Sequence, residues 1–180
     1  MPIHLMEMRF HTYGAIKIFE RRKSQFHRLR SLMTYLGIAT PIFFAFLVIA
    51  TSEKLAVISI FTLLIFLILF IQLLISLWSL VAKWDKQYES SIIAITSSYI
   101  VYERLNSLIN SNCTISSSVL AAIKNDYQAL LSEGISGIIT DKERCYGYRQ
   151  SLIKFSQVCP SCQLRPTGMK PSDCELCGKF

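Results

Sequence analysis

Glycine is scarce in this chain, with seven among 180 residues, and no glycine-rich run is present that would form a phosphate-binding loop. The sequence also has no G-x-S-x-G nucleophile elbow. Its three histidines, His4, His11 and His27, stand at no spacing that marks a catalytic motif. These absences remove the usual signs of catalysis, and the sequence predicts a protein that is not an enzyme.

Charge is absent from Ser31–Ser52 and from Leu55–Ala82, which only the dipeptide Glu53-Lys54 separates. As α-helices these runs would extend about 33 and 42 Å, longer than the roughly 30 Å hydrocarbon core of a bilayer. A turn this short makes the two helices antiparallel neighbours. We therefore expect a two-helix transmembrane hairpin. A buried helical pair in a soluble domain fits less well, because Ala56–Leu77 has almost no polar face.

Basic residues cluster before the first charge-free run. Residues 1–30 hold seven Lys or Arg against two acids, whereas residues 83–180 hold eleven against nine. The positive-inside rule then predicts a multi-pass membrane protein with both termini in the cytoplasm. Nucleic acid is the alternative partner of this basic arm, but anionic lipid is simpler because the arm directly precedes the run. The residues expected at the membrane surface are Arg21, Arg22, Lys23, Arg28, Arg30 and Lys83.

Four of the six cysteines form one motif, Cys159-x-x-Cys162, eleven residues, then Cys174-x-x-Cys177. Two CxxC pairs at this spacing predict a single structural Zn²⁺ ion, held by four thiolates in a closed tetrahedral shell. Zinc would also supply folding free energy that so short a tail lacks. Disulfides fit poorly with a cytoplasmic location. An iron–sulfur cluster or a redox pair would use the same residue types and is less favoured than zinc.

Other residues near the cysteines have less specific roles. Pro160 and Gly178 suit the turns of the two CxxC segments, proline by its fixed φ and glycine by its access to positive φ. Cys113 and Cys145 lack partners at ligand spacing, and we expect them to be ordinary small apolar residues.

Helical periodicity covers most of the remaining chain, so we expect an all-α membrane protein with a small four-cysteine zinc-knuckle tail. Helices are predicted at residues 12–30, at about 116–132, and from a capping box at Thr140–Glu143. The predicted segments are 1–30, a basic cytoplasmic helix; 31–82, the hairpin with spans 31–52 and 55–82; 83–157, a cytoplasmic helical region; and 158–180, the zinc tail.

Two apolar stripes lie in the cytoplasmic region. One is a seam with steps of three and four residues, formed by Tyr88, Ile92, Ile95, Tyr99, Tyr102 and Ile109, with Asn106 at its one polar position. This seam fits either packing within the chain or self-association. The other stripe belongs to the helix after Thr140 and consists of Cys145, Tyr148, Leu152 and Phe155.

A polar face marks the second charge-free run, where Gln72, Ser76 and Ser79 align with Lys83. Such a face either lines a pore or contacts another helix, and helix contact is favoured because the run holds no acid or base. A pore would need several copies of the chain. In the first run, Pro41 predicts a helix kink.

The segment Cys159–Cys177 closely resembles the cysteine pattern of bacterial mobile-element proteins that are named for the CxxC-x(11)-CxxC spacing. The wider layout is similar to the SLATT type of membrane effector: a charged N-terminal helix, a membrane hairpin with a short turn, and cytosolic helices. This resemblance implies an effector of anti-phage defence by abortive infection. Its partner would be a reverse transcriptase, as in retrons, or a nucleotide cyclase. Once triggered, the effector would self-associate and permeabilise the inner membrane.

A membrane-tethered adaptor is the alternative function. Its zinc tail would bind a protein or nucleic-acid partner and leave the membrane intact. Charge in the tail is too balanced to favour nucleic acid, since Arg165, Lys170 and Lys179 oppose Asp173 and Glu175. In an effector the same tail would be the handle by which a partner holds the protein silent.

Overall fold

The computed structural model describes residues 3–50, 55–81, 84–111, 117–130 and 139–180. Within these ranges the chain forms helices and no strand, so the all-helical prediction is confirmed. The helices are α1 Ile3–Ala50, α2 Leu55–Val81, α3 Trp84–Asn110, α4 Ser117–Leu130 and α5 Asp141–Phe155. From Ser156 to Phe180 the chain forms turns and irregular segments.

The chain divides into two compact units. One combines Met1–Lys23 with Glu89–Phe180, and we name it the cysteine unit. The other is Ser24–Tyr88, which we name the apolar unit. Helices α1 and α3 each contribute residues to both units. The N-terminal arm and the cysteine tail, which lie at opposite ends of the sequence, therefore belong to one unit.

The predicted transmembrane hairpin and the multi-pass inner-membrane location are wrong. Among the residues that the structure describes, no helix is both long and apolar enough to cross a membrane. The first charge-free run is not a separate element either. It is the last part of α1, a helix that begins at Ile3 and carries nine charged side chains before Ser31. The prediction placed the start of the helix at the start of the charge-free stretch, but α1 begins well before it.

The core of the cysteine unit joins α1 to helices that lie about a hundred residues later. Its first cluster packs α1 against α3 and α4 and consists of Leu5, Met8, Val101, Leu105, Ile109 and Ile123. A second cluster packs α1 beside Ile139 through Ala15, Ile18 and Phe19. Leu105 has no exposed surface. Truncating a leucine in such a place costs about 2–5 kcal/mol.

The buried face of α3 differs from the predicted seam. Tyr102 and Ile109 are buried as the seam requires, whereas Tyr99 is 41% exposed. Small side chains that the seam omitted, Ser91 and Ser98, are buried instead. Packing within the chain accounts for this face between Val101 and Ile109, where α3 contacts α1 and α4.

Helix α5 starts as the sequence predicts. Thr140 adopts an extended conformation and its hydroxyl accepts a hydrogen bond from the main-chain N–H of Glu143, while the Glu143 carboxylate accepts one from the Thr140 N–H. This reciprocal pair satisfies N–H groups that the first helical turn leaves without partners. The predicted capping box is therefore confirmed, and it fixes the start of α5 next to the cysteine tail.

The apolar unit exposes hydrophobic side chains along all of α2 for which side chains are described. The exposed residues between 63 and 78 are Leu63, Leu64, Phe66, Leu67, Ile68, Leu69, Phe70, Ile71, Leu73, Leu74, Leu77 and Trp78. Ile65 is the one buried side chain in that range. Soluble proteins rarely expose so large a contiguous apolar surface unless it meets a partner.

Candidate metal centre

The two CxxC segments fold into matching turns. In the first, the N–H of Gln163 donates to the carbonyl of Cys159 over 2.8 Å. In the second, the N–H of Gly178 donates to the carbonyl of Cys174 over 2.9 Å. Each turn presents two Sγ atoms on the same side, because its two cysteines are three residues apart in a closed loop.

Glycine at position 178 serves a different purpose from the one predicted. No glycine in the described ranges has a positive φ, whereas Gln163, at the equivalent place in the first turn, has a φ of 54°. A Cβ added to Gly178 would lie 2.2 Å from the carbonyl oxygen of Ser172. The main chain therefore approaches too closely for any side chain, and the N–H of Ser172 bonds to the carbonyl of Gly178.

The four sulfur atoms lie close enough to bind one metal ion. All four Sγ atoms of Cys159, Cys162, Cys174 and Cys177 lie within 4.8 Å of one another. Across the two turns, Cys159 and Cys174 are 3.9 Å apart, and Cys162 and Cys177 are 3.8 Å apart. A tetrahedron with Zn–S bonds of about 2.3 Å has edges of about 3.8 Å. The donor set and spacing therefore fit the predicted structural zinc ion, and four thiolates leave no open position for water.

The protein itself favours thiolate at one of these positions. The main-chain N–H groups of Cys177 and Leu176 donate to the Cys174 sulfur and lower its pKa to about 6. Burial and hydrogen bonds from neighbouring thiols raise the pKa of Cys177 instead. A bound divalent cation supplies the positive charge that holds the whole set ionised.

Helix α5 supports the tail through Arg149, a residue that the sequence did not single out. This residue is buried, with 8% of its surface exposed. Nε donates to the carbonyl of Gly168 over 2.7 Å, and Nη1 donates to the carbonyl of Cys177 over 3.1 Å. Nη1 also contacts the hydroxyl of Ser172 at 3.4 Å. These bonds tie the second cysteine turn and the connecting segment to one side chain.

The N-terminal helix reaches the metal centre as well. Phe10 of α1 is buried in one cluster with Leu152, Cys159 and Cys177. Its ring meets the ring of Tyr148 edge-on, with centroids 5.1 Å apart. The stripe predicted for α5 is thus the surface that receives α1. Two of its members, Cys145 and Leu152, are buried, and Tyr148 and Phe155 are partly buried.

Two glycines let α1 and α5 cross at close range. A Cβ added to Gly147 would lie 2.7 Å from the carbonyl oxygen of Gly14 and 2.7 Å from Cδ1 of Ile18. One turn further along α5, Ser151 has no exposed surface. Small residues spaced by four positions allow helix backbones to approach in this way.

A partly buried ion pair joins the same two helices at the start of α5. Nε of Arg22 lies 2.5 Å from Oε1 of Glu143, and Nη2 lies 2.7 Å from Oε2, so the contact is bidentate. About four-fifths of each side chain is covered. The bond from Arg22, together with the bonds from Thr140, lowers the pKa of Glu143 to about 2.

Three of the basic residues expected at a membrane surface make contacts within the chain. Arg22 binds Glu143, Arg21 lies over the ring of Tyr146, and Arg30 pairs with Asp85 at 3.5 Å. Lys23 and Arg28 are exposed. These three arginines contact protein groups, and none of the described helices beside them is able to cross a membrane. Lys83 lies outside the described residues.

The remaining predicted positions are not brought together into a site. Gln72 is half-buried and its Nε2 lies 4.0 Å from the place of a Cβ on Gly37, whereas Ser76 is exposed. The side chain of Ser79 lies outside the described part. Helix α1 continues through Pro41 to Ala50.

The Cys145 sulfur donates to the carbonyl of Glu175 over 2.9 Å, and burial raises the pKa of that thiol. Cys113 lies outside the described residues.

A cavity of about 830 Å³ adjoins the metal centre within the cysteine unit. Its walls come from α1, the first half of α5, Tyr127 of α4 and the second cysteine turn. Phe10, Tyr148 and Leu176 give it an apolar lining. Cavities of this size, with mostly apolar walls, are typical of binding sites for small molecules or side chains.

The fold and site together define an all-helical protein with a four-cysteine metal module built onto its N-terminal helix. The chain belongs to the family described as mobilome CxxCx(11)CxxC protein, whose model matches residues 4–180. The predicted mobile-element family is therefore confirmed. Comparison with curated proteins gave no match, and comparison with solved structures gave none either.

Proposed function

We propose that the chain is a non-catalytic effector protein of a bacterial mobile element, and that it works by self-assembly. Copies join through the apolar unit, while the metal centre keeps the cysteine unit folded. The observation that carries this proposal is the continuous exposure of apolar side chains on α2.

The amount of exposed apolar surface on α2 supports a second copy of the chain as its binding partner. Twelve large apolar side chains between Leu63 and Trp78 are 42–73% exposed. Three of them, Phe66, Phe70 and Trp78, are aromatic, and an aromatic side chain buries about 150–250 Å² at an interface. A standard interface needs about 800 Å² from each partner. The surface carries no charge between these residues, so it suits an equally apolar partner, and a two-fold pair would place like surfaces together.

One polar atom in this region lacks a partner. Oε1 of Gln72 is buried and accepts no hydrogen bond within the described structure. A buried acceptor without a donor costs about 1–3 kcal/mol. The Nε2 atom of the same side chain lies 4.0 Å from the Cβ position of Gly37 in α1, so Gln72 fits a helix contact within one chain.

Membership of a mobile-element family fits an effector that such an element carries. A role in conflict with phages, beside a nucleic-acid or nucleotide-processing partner, is proposed from the SLATT-like layout alone. Membrane permeabilisation is not part of the proposed mechanism, because no helix in the described ranges is able to cross a membrane. Assembly of copies is the part of the effector hypothesis that the exposed α2 surface supports.

Sedimentation of the full, zinc-loaded chain without detergent tests this proposal. We expect one discrete oligomer at micromolar concentration, and at least a tenfold weaker association after the paired change Phe66→Glu and Phe70→Glu. Leu164→Glu is the matched control, since Leu164 is 69% exposed but belongs to the cysteine unit. A monomer, a broad distribution of aggregates, or equal loss in the control would overturn the proposal.

A second candidate is an adaptor, favoured by the cavity beside the metal centre. Its rim carries Lys142, whereas two other cations are paired: Arg144 with Asp141, and Lys179 with Glu175. The matching partner is a protein segment with an apolar side chain next to a carboxylate. Pull-down with the partner protein of the neighbouring gene separates the candidates. An adaptor loses binding after Ala15→Phe, which fills the cavity, and keeps it after Phe66→Glu.

A further inference from the structure

The metal centre and the N-terminal helix share one packed cluster. Phe10 is 6% exposed and touches the same cluster as Cys159 and Cys177, which contribute one ligand from each turn. The hydroxyl of Ser151 donates to the carbonyl of Phe10 over 2.8 Å. The ring is therefore held against sulfur ligands whose positions depend on the metal.

Electrostatic attraction also links a bound metal to α5. Four thiolates around a divalent cation leave a net charge of about −2. Arg149 is the buried cation beside them, and it is fixed by carbonyls of Gly168 and Cys177. When the turns are not held by a metal, these carbonyls lose their fixed places. The guanidinium then remains buried without its acceptors, which is unfavourable.

We propose that metal binding and the docking of residues Ile3–Lys23 onto α5 are one coupled event, with Phe10 as the contact and Arg149 as the positioning residue. Loss of the metal releases the start of α1 from α5. Coupling between two equilibria is reciprocal: the factor by which bound metal strengthens docking of α1 is the factor by which docked α1 strengthens metal binding. This coupling stands whether or not the chain assembles through α2.

The ion pair between Arg22 and Glu143 provides the remote test. It holds α1 on α5, yet Arg22 lies twelve residues from Phe10 and contributes no atom to the metal cluster. In the full chain, Arg22→Gln should weaken zinc binding about tenfold in a competition assay with a chromophoric chelator. Lys23→Gln is the control, because it removes the same charge from an exposed neighbour. Equal affinities in the two variants would overturn the coupling.

Hydrogen exchange provides the converse test. Removal of zinc from the full chain should raise the exchange rates of amides Leu5–Phe19 at least tenfold, and restored zinc should return them. Unchanged protection of these amides in the metal-free protein would contradict the proposal.

Replacing Zn²⁺ by Co²⁺ tests whether the charge of Arg149 acts on the metal centre. It gives an absorption band that a merely structural role of Arg149 would not change. Arg149→Gln should shift the sulfur-to-cobalt charge-transfer band and weaken Co²⁺ binding, whereas Arg149→Lys, which keeps the charge, should restore part of both. If Arg149→Lys and Arg149→Gln behave alike, charge compensation by Arg149 is excluded.

Discussion

Ser151 donates a hydrogen bond of 2.8 Å to the carbonyl oxygen of Phe10, across 141 positions of sequence. This bond lies in a fully buried contact between α5 and α1. The N-terminal arm is therefore a structural part of the C-terminal metal module.

The crossing of α1 and α5 predicts a large effect from a single methyl group. Gly147→Ala should destabilise the protein by about 2 kcal/mol or more, because its Cβ meets the Gly14 carbonyl and Ile18 at 2.7 Å. Gly168→Ala is the control, since nothing lies within 4 Å of its Cβ position. Urea unfolding followed by helical circular dichroism measures both. A similar midpoint for the two variants would contradict the close crossing.

The second cysteine turn predicts an asymmetry between the two halves of the motif. Gly178→Ala should reduce zinc binding at least tenfold, because the new Cβ would overlap the carbonyl of Ser172. Gln163→Gly, at the equivalent place, should change stability by less than about 1 kcal/mol, since relief of its positive φ offsets greater freedom in the unfolded chain. Zinc affinity and thermal unfolding of both variants check this. Strong loss from Gln163→Gly would argue against it.

Removal of a ligand predicts loss of the metal. Cys159→Ser and Cys174→Ser should each lower bound zinc from about one ion per chain to well below one, because the tetrahedral shell needs four donors. Cys145→Ser should retain a full ion, since Cys145 bonds to a carbonyl and is not part of the cluster. Elemental analysis of the purified proteins gives the ratio. A stoichiometric ion in Cys174→Ser would exclude the four-cysteine shell.

The lowered pKa of Glu143 predicts that the folded chain loses stability in acid. Its pKa is lowered to about 2 in the folded chain from an ordinary value of 4.5. The ionised carboxylate therefore stabilises the fold at pH above about 4.5, and this contribution disappears as the pH falls through about 2. It is worth about 3 kcal/mol at most, since roughly a fifth of the side chain remains exposed.

The measurement is the difference in unfolding free energy between the protein and Glu143→Gln, taken from pH 6 to pH 2. Acid also removes zinc, so the bound zinc of both proteins is measured at each pH. The gap should be largest near neutral pH and close as the pH falls below 4. A constant gap would show that Glu143 acts without its charge.

Local patterns predicted the parts of this structure that depend on neighbouring residues. The capping box at Thr140 and Glu143 and the CxxC turns form within a few positions, so their chemistry is readable from the sequence. Arg149 and Phe10 gave no such signal. Their roles depend on contacts with residues 19 to 167 positions away, which spacing does not encode.

The hydropathy pattern led to a wrong prediction of helix boundaries. The charge-free runs indicated two separate spans, yet the first belongs to α1, which starts at Ile3 and is anchored by Leu5, Met8 and Phe10 in the cysteine unit. The second run has almost no polar residues outside the face formed by Gln72, Ser76 and Ser79, and its apolar side chains are exposed on α2. This exposure supports an interface between copies.

The pairing of Phe10 with Cys159 and Cys177 also sets an order of events during synthesis. The phenylalanine leaves the ribosome 149 and 167 residues before these two cysteines. At 5–20 residues per second, roughly 10–30 s pass before the last cysteines are made. During that interval the apolar side of the newly made helix is not covered by these partners. We therefore expect the nascent chain to bind chaperones.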